Sequence, residues 1–426
     1  MDRRTVLVAS VAVPAHTYNA TPFVTQLLAA GHRVLWYADR AFHAHIRRVG
    51  AQALTPSFAH ADVTRLDGLA DVRRAFADAF VGFAGSRAQD LSRVIADEGV
   101  EVLLTDPLAY GAGLAAELSG IPWASFGDGP LHYADVDTPP FGTGLPYRLG
   151  GPWRLRNRVV AAVSEHGVFG RAGRRLQRTR RELGLPEDSR PVLEANLSPL
   201  LHLQGGVPEF EYPRLDLPPH VHWVGALRPQ PAAAWHPPAW WAAVTDPAAR
   251  PIVLVSQGTI RGDMSELVVP TLQGLADLDV TVVATTGAAS PAAVADALGG
   301  ALPANAIVER FLPYDEILAH AACFVTNGGW TGVTSALHHG VPLVQAGMTE
   351  EKSDIGSRIA YSGVGVSLRQ TRPSPQRVRE ATARVLGASA ERAAARAVSR
   401  SMAAHDAGRD GAELVLALAV SVAAAR

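Results

Sequence analysis

Short apolar runs recur along the chain, and each is followed by a turn and a helical pattern. The first run, at residues 5–13, is rich in valine and alternates little, as is typical of a strand buried on both faces of a parallel sheet. After a loop at residues 15–19, Thr21 as N-cap and Pro22 at the first helical position predict a helix. A second strand follows at Arg33–Tyr37. This strand–helix–strand order predicts a doubly wound α/β fold.

The same alternation, continued along the chain, predicts two α/β domains. Strands at residues 100–104 and 123–126 extend the first series, and a second series begins after Pro251. A proline-rich segment separates the two series and is typical of a linker. Two domains of this kind suggest a ligand cleft between them. We expect an N-terminal domain at residues 1–215, a linker at 216–247, a C-terminal domain at 248–404, and a final helix at 405–426 that packs back across the seam.

The strongest local signal lies at residues 324–344, FVTNGGWTGVTSALHHGVPLV. A short apolar strand ends before Asn327, two glycines allow a sharp turn, and a helix is predicted from Thr331 to His339. A strand end, a glycine turn and a helix start bring free backbone N–H groups and the positive end of a helix dipole to one point. The stretch therefore predicts a phosphate site. The alternative is an ordinary turn between a strand and a helix.

Composition and charge exclude some classes of function. The chain has 426 residues, 48% of them hydrophobic, and a formal net charge of -1. It can therefore bury two cores, and no overall charge draws it to nucleic acid or to an acidic surface. The single cysteine, Cys323, excludes an internal disulfide and is expected to serve packing.

The first residues, MDRRTVLVASVAVPA, combine basic residues with an apolar run, as a signal peptide would. The run is short and pairing within a sheet explains it equally well, so a first strand and a cytoplasmic location are expected. No window reaches the ~18 consecutive apolar residues that a membrane span requires.

Four segments of the second half form a combined motif: Phe311-Leu312-Pro313, residues 324–337, His339-Gly340-Val341-Pro342 and Thr349-Glu350-Glu351-Lys352. Together they resemble the nucleotide-sugar motif of family 1 glycosyltransferases, which include bacterial macrolide and natural-product UDP-glycosyltransferases. The resemblance extends over nearly the whole chain. It implies the GT-B fold, in which two Rossmann-like, doubly wound domains face each other across a cleft. The N-terminal domain would bind the acceptor and the C-terminal domain the nucleotide sugar.

On this resemblance, His16 matches the catalytic base and Asp106 the acid that orients it. An acceptor hydroxyl is a poor nucleophile at neutral pH, and a neutral imidazole assists by taking its proton. A carboxylate on the other ring nitrogen fixes the tautomer and stabilises the imidazolium. Both residues follow strands of a parallel sheet, where such sheets place their sites. A histidine that only caps a loop would occupy the same position as His16.

The resemblance also implies how the donor is held. The glycine turn and the helix after it would bind the diphosphate, and a loop after the strand at Ile252–Ser256 would contact the phosphates as well. Two residues before the turn would bind the base, and an acidic–basic pair after it would grip the sugar hydroxyls. The implied donor-binding residues are Ser256, Gly258, Thr259, Phe311, Leu312, Asn327, Gly328, Gly329, Trp330, Thr331, Glu351 and Lys352.

Several positions depart from the family pattern. Asn327 replaces the usual histidine, and an amide can donate a hydrogen bond to phosphate but adds no charge. Gly332 stands where the family has a hydroxyl, so we expect Thr331, one residue earlier, to supply it. Ser335 replaces a glutamate that binds the ribose, and Lys352 replaces a glutamine. These departures bear on the identity of the donor rather than on the fold.

No metal or other cofactor is expected. Asp135 and Asp137 have the spacing of a metal-binding acid pair from another glycosyltransferase fold, but they lie in a proline-rich loop without the strand that such a pair follows. The resemblance implies a reaction without metal, in which the nucleoside diphosphate sugar is a co-substrate. No glycine-rich dinucleotide fingerprint follows the first strand, which disfavours a hydride-transferring enzyme.

The leading hypothesis is an inverting glycosyltransferase. It would transfer a sugar from a UDP- or dTDP-linked donor to a hydroxyl of an apolar small molecule, such as a polyketide, a macrolide or a phenolic natural product. A nucleotide-sugar epimerase of the same fold and a non-catalytic nucleotide-sugar-binding protein are the alternatives. The expected partners are these two small molecules and no nucleic acid. A homodimer is a possible assembly.

Overall fold

The fold consists of two α/β domains, each built on a parallel sheet. The computed structural model describes residues 3–59, 68–229, 235–258, 261–287 and 289–424. The strands of the first sheet are β1 Thr5–Ala9, β2 Arg33–Tyr37, β3 Gln52–Leu54, β4 Val102–Thr105, β5 Trp123–Gly127, β6 His202–Gln204 and β7 Val221–Trp223. Those of the second are β8 Ile252–Ser256, β9 Thr281–Thr285, β10 Ala306–Glu309, β11 Ala321–Thr326, β12 Leu343–Gln345 and β13 Gly365–Ser367.

In each sheet the strand order reverses its direction once, as in a doubly wound fold. The first has the order β3-β2-β1-β4-β5-β6-β7 and the second the order β10-β9-β8-β11-β12-β13, and all neighbouring strands are parallel. The reversals lie between β1 and β4 and between β8 and β11. Ligands of such sheets bind outside the carboxyl ends of the strands at these reversals.

Helices cover the faces of the sheets. Those of the first domain are α1 Pro14–Tyr18, α2 Thr21–Ala29, α3 His43–Val49, α4 Leu69–Arg74, α5 Ala84–Glu98, α6 Ala112–Ser119, α7 Gly151–Val163 and α8 Gly170–Glu182. The remaining helices are α9 Trp241–Thr245, α10 Val268–Leu275, α11 Pro291–Ala297, α12 Tyr314–Leu318, α13 Trp330–His338, α14 Lys352–Ser362, α15 Pro375–Val385, α16 Ala390–Met402 and α17 Ala407–Ala424.

The central position of strand β1 explains why its sequence is rich in valine and does not alternate between apolar and polar residues. Val6 and Val8 belong to the core on one face of the sheet, and Leu7 belongs to the core on the other. All three are fully buried. Because both faces of a central parallel strand are covered, polar residues have no place along it. The doubly wound α/β fold predicted from this pattern is confirmed.

The segment after β1 differs from the prediction. Residues 15–19 were expected to form a loop, but α1 begins at Pro14, which occupies a first-turn position of the helix. Proline suits that position because its missing N–H needs no partner there and its φ is already helical. Thr21 is not an N-cap either, since it is the first residue of α2, and its hydroxyl contacts Nε2 of His45 at 2.9 Å.

The connection between the domains is shorter than the predicted linker at residues 216–247. Strand β7 lies inside that segment and extends the first sheet. Helix α9, also inside it, contributes Trp241 to the core of the second domain. The proline-rich composition therefore marks the crossing between the domains, but several of its residues belong to one domain or the other.

Helix α17 packs on the first domain although it follows the last elements of the second. Two glycines permit this close approach: a Cβ at Gly411 would lie 2.3 Å from the ring of Phe23, and one at Gly408 would lie 2.8 Å from the carbonyl oxygen of Pro22. Val415 completes the contact in the core of the first sheet. The end of the chain thus ties the second domain to the first.

Candidate active site

His16 and Asp106 meet at the reversal of the first sheet. His16 lies on α1, directly after β1, and Asp106 follows β4. His16 Nδ1 is 3.0 Å from Oδ1 of Asp106. The Asp106 carboxylate also accepts hydrogen bonds from the backbone N–H groups of Val11 (2.9 Å) and Leu108 (2.7 Å), and it is fully buried. These bonds fix the carboxylate, which in turn orients the imidazole with Nδ1 toward it.

A second carboxylate reaches the same ring nitrogen. Asp128 follows β5, the next strand of the sheet, and its Oδ2 lies 3.1 Å from His16 Nδ1. Its side chain is 4% exposed, whereas that of His16 is 20% exposed. His16 therefore has two acids on one side of the ring and some access to solvent.

These acids change the proton affinity of the site. Burial lowers the pKa of His16, but the carboxylates of Asp128 and Asp106 outweigh it and raise the pKa to about 10. Burial raises the pKa of Asp128 to about 6, although the charge of His16 opposes the rise. The cluster thus tends to hold a proton near neutral pH, shared between an imidazole and a carboxylate.

Two apolar side chains lie near His16 and Asp106 in the sequence. Val13 precedes His16 by three residues, and Leu108 follows Asp106 by two. Both are only partly buried against a core cluster that also receives Phe76. Partly exposed apolar side chains can contribute to a surface on which an apolar molecule lies.

The predicted phosphate residues come together at the reversal of the second sheet. Asn327 follows β11 and its Nδ2 donates to the carbonyl of Gln257, which follows β8, at 2.5 Å. A Cβ built on Gly258 would meet that same amide at 3.4 Å. Ser256 Oγ is 3.4 Å from the backbone N of Gly258 and accepts from the hydroxyl of Tyr314. Thr259 lies outside the described residues.

Helix α13 begins beside this group without a side-chain cap. Gly329 is its N-cap residue, and no side chain bonds to the first-turn N–H groups. Gly328 has φ +96, and a Cβ there would lie 3.0 Å from the side chain of Gln345, so only glycine suits this turn. Uncapped N–H groups and the helix dipole together favour an anion at this point.

The side-chain amide of Asn19 connects the reversal of the first sheet with that of the second. Asn19, between α1 and α2, is 1% exposed, and its Nδ2 lies 3.0 Å from the hydroxyl oxygen of Thr331. The same hydroxyl lies 3.1 Å from Oδ1 of Asn19. The side chain predicted to bind the donor phosphate is therefore in contact with the domain that contains His16.

Comparison with known proteins identifies the family of the chain. A family model described as "Erythromycin biosynthesis protein CIII-like, C-terminal domain" matches residues 270–418. The chain is 36% identical over 422 residues to 4'-demethylrebeccamycin synthase of Lentzea aerocolonigenes, covering 96% of this chain and 98% of that protein. The chain belongs to the family 1 glycosyltransferases. This glycosyltransferase is also 29% identical over 425 residues to UDP-glucosyltransferase 1 of Beauveria bassiana, covering 91% of this chain and 89% of that one.

Solved structures confirm the GT-B fold of the glycosyltransferase. The glycotransferase of kitacinnamycin superposes with a TM-score of 0.75 at 22% identity, over 98% of this chain and 100% of that one. The glycosyltransferase VinC in complex with dTDP superposes with a TM-score of 0.73 at 20% identity, also over 98% and 100%.

The remaining residues that were predicted to bind the donor differ in how far their side chains are buried. Phe311 is 63% exposed, and Leu312 is buried in the core. The indole of Trp330 is also buried and packs against Phe210, so any contact of Trp330 with the donor would come from its backbone. Glu351 faces His16 and Asp128. Burial lowers the pKa of Lys352 to about 8, and its ammonium group pairs with Glu350.

Asp135 and Asp137, the acid pair that was considered as a metal site, form hydrogen bonds within the glycosyltransferase. Asp137 binds the guanidinium of Arg154 through both oxygens, at 2.6 and 2.8 Å. Asp135 accepts from the backbone N–H of Asp137 and of Leu215. Across the described ranges, no three His, Cys, Asp or Glu side chains are grouped so that they could hold a metal ion. Nor is any helix in those ranges long and apolar enough to cross a membrane.

Two residues of the site were missed from the sequence. Asp128 follows β5 in the same way as Asp106 follows β4, and that repeated position was the available signal. Asn19 offered no signal, because its importance comes from a contact with Thr331, 312 positions later in the chain.

Proposed function

We propose that this glycosyltransferase is an inverting enzyme that moves a sugar from a UDP- or dTDP-linked donor to a hydroxyl of an apolar natural product, with His16 as general base and Asp106 orienting it. The observation on which this rests is the 3.0 Å contact between His16 Nδ1 and Asp106 Oδ1 at the reversal of the first sheet. With its proton on Nδ1, the imidazole presents the lone pair of Nε2 to the cleft.

In the proposed reaction, the acceptor oxygen forms a bond to the anomeric carbon as the bond from that carbon to the diphosphate breaks. Attack opposite to the leaving group inverts the configuration. The hydroxyl proton passes to His16 Nε2, and Asp106 stabilises the resulting imidazolium. The leaving nucleoside diphosphate takes the electron pair of the broken bond, and the N–H groups at the start of α13 stabilise its negative charge.

The names of relatives support the choice of substrates. One relative is a UDP-glucosyltransferase, another a rebeccamycin-type synthase, and a related structure was solved with dTDP. The partly buried apolar side chains of Val13, Phe76 and Leu108 are suited to contact an apolar acceptor. A cytoplasmic location agrees with a nucleotide sugar as co-substrate.

The decisive experiment is mass spectrometry of products from a matrix of nucleotide sugars and acceptors. A glycosylated acceptor together with free nucleoside diphosphate supports the proposal, and the configuration at the new bond tests inversion. A changed sugar with no acceptor requirement would instead indicate an epimerase. Binding of donor without turnover on any acceptor would indicate a non-catalytic binding protein.

We further expect Thr331→Val to weaken binding of the free nucleoside diphosphate about 10- to 150-fold, because a lost hydrogen bond to a charged group costs roughly 1.5–3 kcal/mol. Thr331 is in the first turn of α13, where its hydroxyl and the N–H groups can reach one phosphate oxygen. Calorimetry without acceptor measures the effect.

The matched control for this measurement is Thr334→Val. Thr334 lies one turn later on the same helix, is 1% exposed, and donates its hydroxyl to the carbonyl of Trp330. This control makes the same chemical change without facing the cleft, so its affinity should stay close to that of the wild type. Equal affinity of Thr331→Val and wild type would mean that the backbone and Asn327 hold the phosphates alone.

Activity is expected to survive removal of divalent metal ions. The proposed diphosphate site consists of backbone N–H groups and a helix dipole, which meet negative charge without a cation. Initial rates should agree within a factor of about two with and without a chelator. Loss of activity with chelator and its recovery on addition of magnesium or manganese would contradict this prediction.

A further inference from the structure

Asp128 differs from Asp106 in how its oxygens are satisfied. Asp106 accepts hydrogen bonds from two backbone N–H groups in addition to its contact with His16. Asp128 Oδ2 is buried and has no hydrogen-bond partner, although it lies 3.1 Å from His16 Nδ1. An unsatisfied buried carboxylate oxygen is costly unless a positive charge or a proton stands beside it. The nearest source of either is the ring of His16.

The short contact between Asp128 and His16 is an ion-pair contact and not a hydrogen bond. The Nδ1–H of His16 points at Asp106, so Asp128 receives the charge of the imidazole but not its proton. On the other side, the amide of Asn19 bonds to Asp128 and lowers its pKa. Because Asn19 also bonds to Thr331, Asp128 stands between the base and the donor-binding helix α13.

We propose that Asp128 is a second positioning residue for the reaction, which pairs with the imidazolium as His16 Nε2 takes the acceptor proton. The proposal rests on the proposed function of His16 as general base. In this arrangement Asp106 sets the tautomer and direction of the ring through a hydrogen bond. Asp128 adds the second negative charge that makes His16 a stronger base. No atom of Asp128 needs to touch the acceptor.

Charged groups from both domains act on the His16 imidazole. Asp106 and Asp128 raise the pKa of His16 from the first sheet, and Glu351, which precedes α14, raises it from the second domain. The charge of His16 in turn lowers the pKa of His132, which burial has already lowered to about 3. Arg87 is buried behind Asp106. The substitution Asp128→Asn leaves these other side chains in the protein, and it also removes the charge that helps to raise the pKa of Glu351.

A neighbouring carboxylate stabilises the imidazolium and raises the pKa of the imidazole, so Asp128→Asn must lower it. Activity requires neutral His16 and therefore rises with pH through that pKa. The acid limb of kcat/KM should move to lower pH by about one unit or more in Asp128→Asn. The plateau above it should fall by on the order of tenfold, because the remaining base is weaker.

The matched control is Asp135→Asn, which removes the same charge from the same loop. Asp135 accepts only backbone N–H groups, those of Asp137 and Leu215, among the described residues. It should leave the position of the acid limb unchanged. If Asp135→Asn shifts the limb as much as Asp128→Asn does, the effect is one of net charge and the proposal fails.

A measurement without turnover separates this proposal from the proposed function. NMR titration of ¹⁵N-histidine-labelled protein, with the His16 signal assigned from its loss in His16→Ala, gives the pKa of the ring directly. A His16 pKa that is lower in Asp128→Asn than in wild type supports the proposal even if His16 proves dispensable for turnover. Equal pKa values in the two folded proteins overturn it.

Discussion

Replacing His16 by alanine is expected to lower turnover by about 10²–10⁴-fold, the usual range for the loss of a general base. The reason is its place on α1, where Nδ1 is turned to Asp106 and the rest of the ring is 20% exposed to the cleft. Affinity for the nucleoside diphosphate should change little, because the proposed phosphate site lies in the other domain. Initial rates at saturating donor and calorimetry of donor binding measure the two quantities separately.

The choice of acceptor decides how strict this test is. An acidic phenol ionises without help, so its transfer rate can hide the loss of a base, whereas an aliphatic alcohol cannot ionise at neutral pH. His236→Ala is a suitable control because His236 is exposed and lies outside the cluster around His16. Turnover of an aliphatic alcohol within a few-fold of wild type would show that His16 is not the base.

Much of the fold could be predicted from the sequence because its strands are central and parallel. Strand β8 was predicted with both of its bounds, and β11 with its carboxyl end. A run of four or more β-branched and apolar residues is typical of a buried parallel strand. The glycine turn at Gly328 was predictable for the same local reason, because its positive φ requires glycine.

The errors lie where local pattern and tertiary structure disagree. Pro14 was interpreted as the residue that ends the first strand, but β1 ends at Ala9 and Pro14 begins a short helix that carries His16 to Asp106. The Gly127-Asp128-Gly129-Pro130 run has the composition of an ordinary turn, so its position directly after a strand was the signal for Asp128 and its composition was not. Its role follows from the pairing of β4 with β5, which brings two carboxylates to one ring.

The seam between the domains was not predictable either. Asp354, on α14, accepts from the backbone N–H groups of Gly142 and Gly144 in the first domain, both at 2.5 Å. Ser357 donates to the carbonyl of Gly144 at 2.8 Å. A backbone group gives no sequence signal for its partner, so these contacts become visible only in the folded chain. They hold the loop after β5 against the second domain.

Arg358 contributes the largest expected stability effect at this seam. Its guanidinium binds Oε1 of Glu211 through two nitrogens, both at 2.7 Å, and lies over the ring of Tyr212 at 4.4 Å. The two charged side chains are 5% and 2% exposed. Removing Arg358 would leave the buried carboxylate of Glu211 with a weaker ion pair, to Arg214 at 3.5 Å. Arg358→Met should therefore lower the stability of the folded protein by about 3–5 kcal/mol, measured by thermal or denaturant unfolding.

A double variant distinguishes loss of the pair from loss of packing. Glu211→Gln and Arg358→Met together replace both charges. Arg214, the other cation beside Glu211, still donates to the carbonyls of Tyr133 and Leu131. The double variant should therefore lose less stability than the sum of the single variants. Strict additivity would mean that Arg358 acts through its contact with Tyr212 alone.

The same pair predicts a dependence on pH. Burial raises the pKa of Glu211, but Arg358 and Arg214 lower it more, and the net pKa is below its ordinary value. A carboxylate with a lowered pKa contributes stability above its unfolded pKa of about 4.3, and that contribution is lost as the pH falls through the folded pKa. The difference in stability between wild type and Arg358→Met should therefore be full at pH 7 and shrink below pH 4. A difference that stays constant over this range would show that the charge of Glu211 is not what Arg358 stabilises.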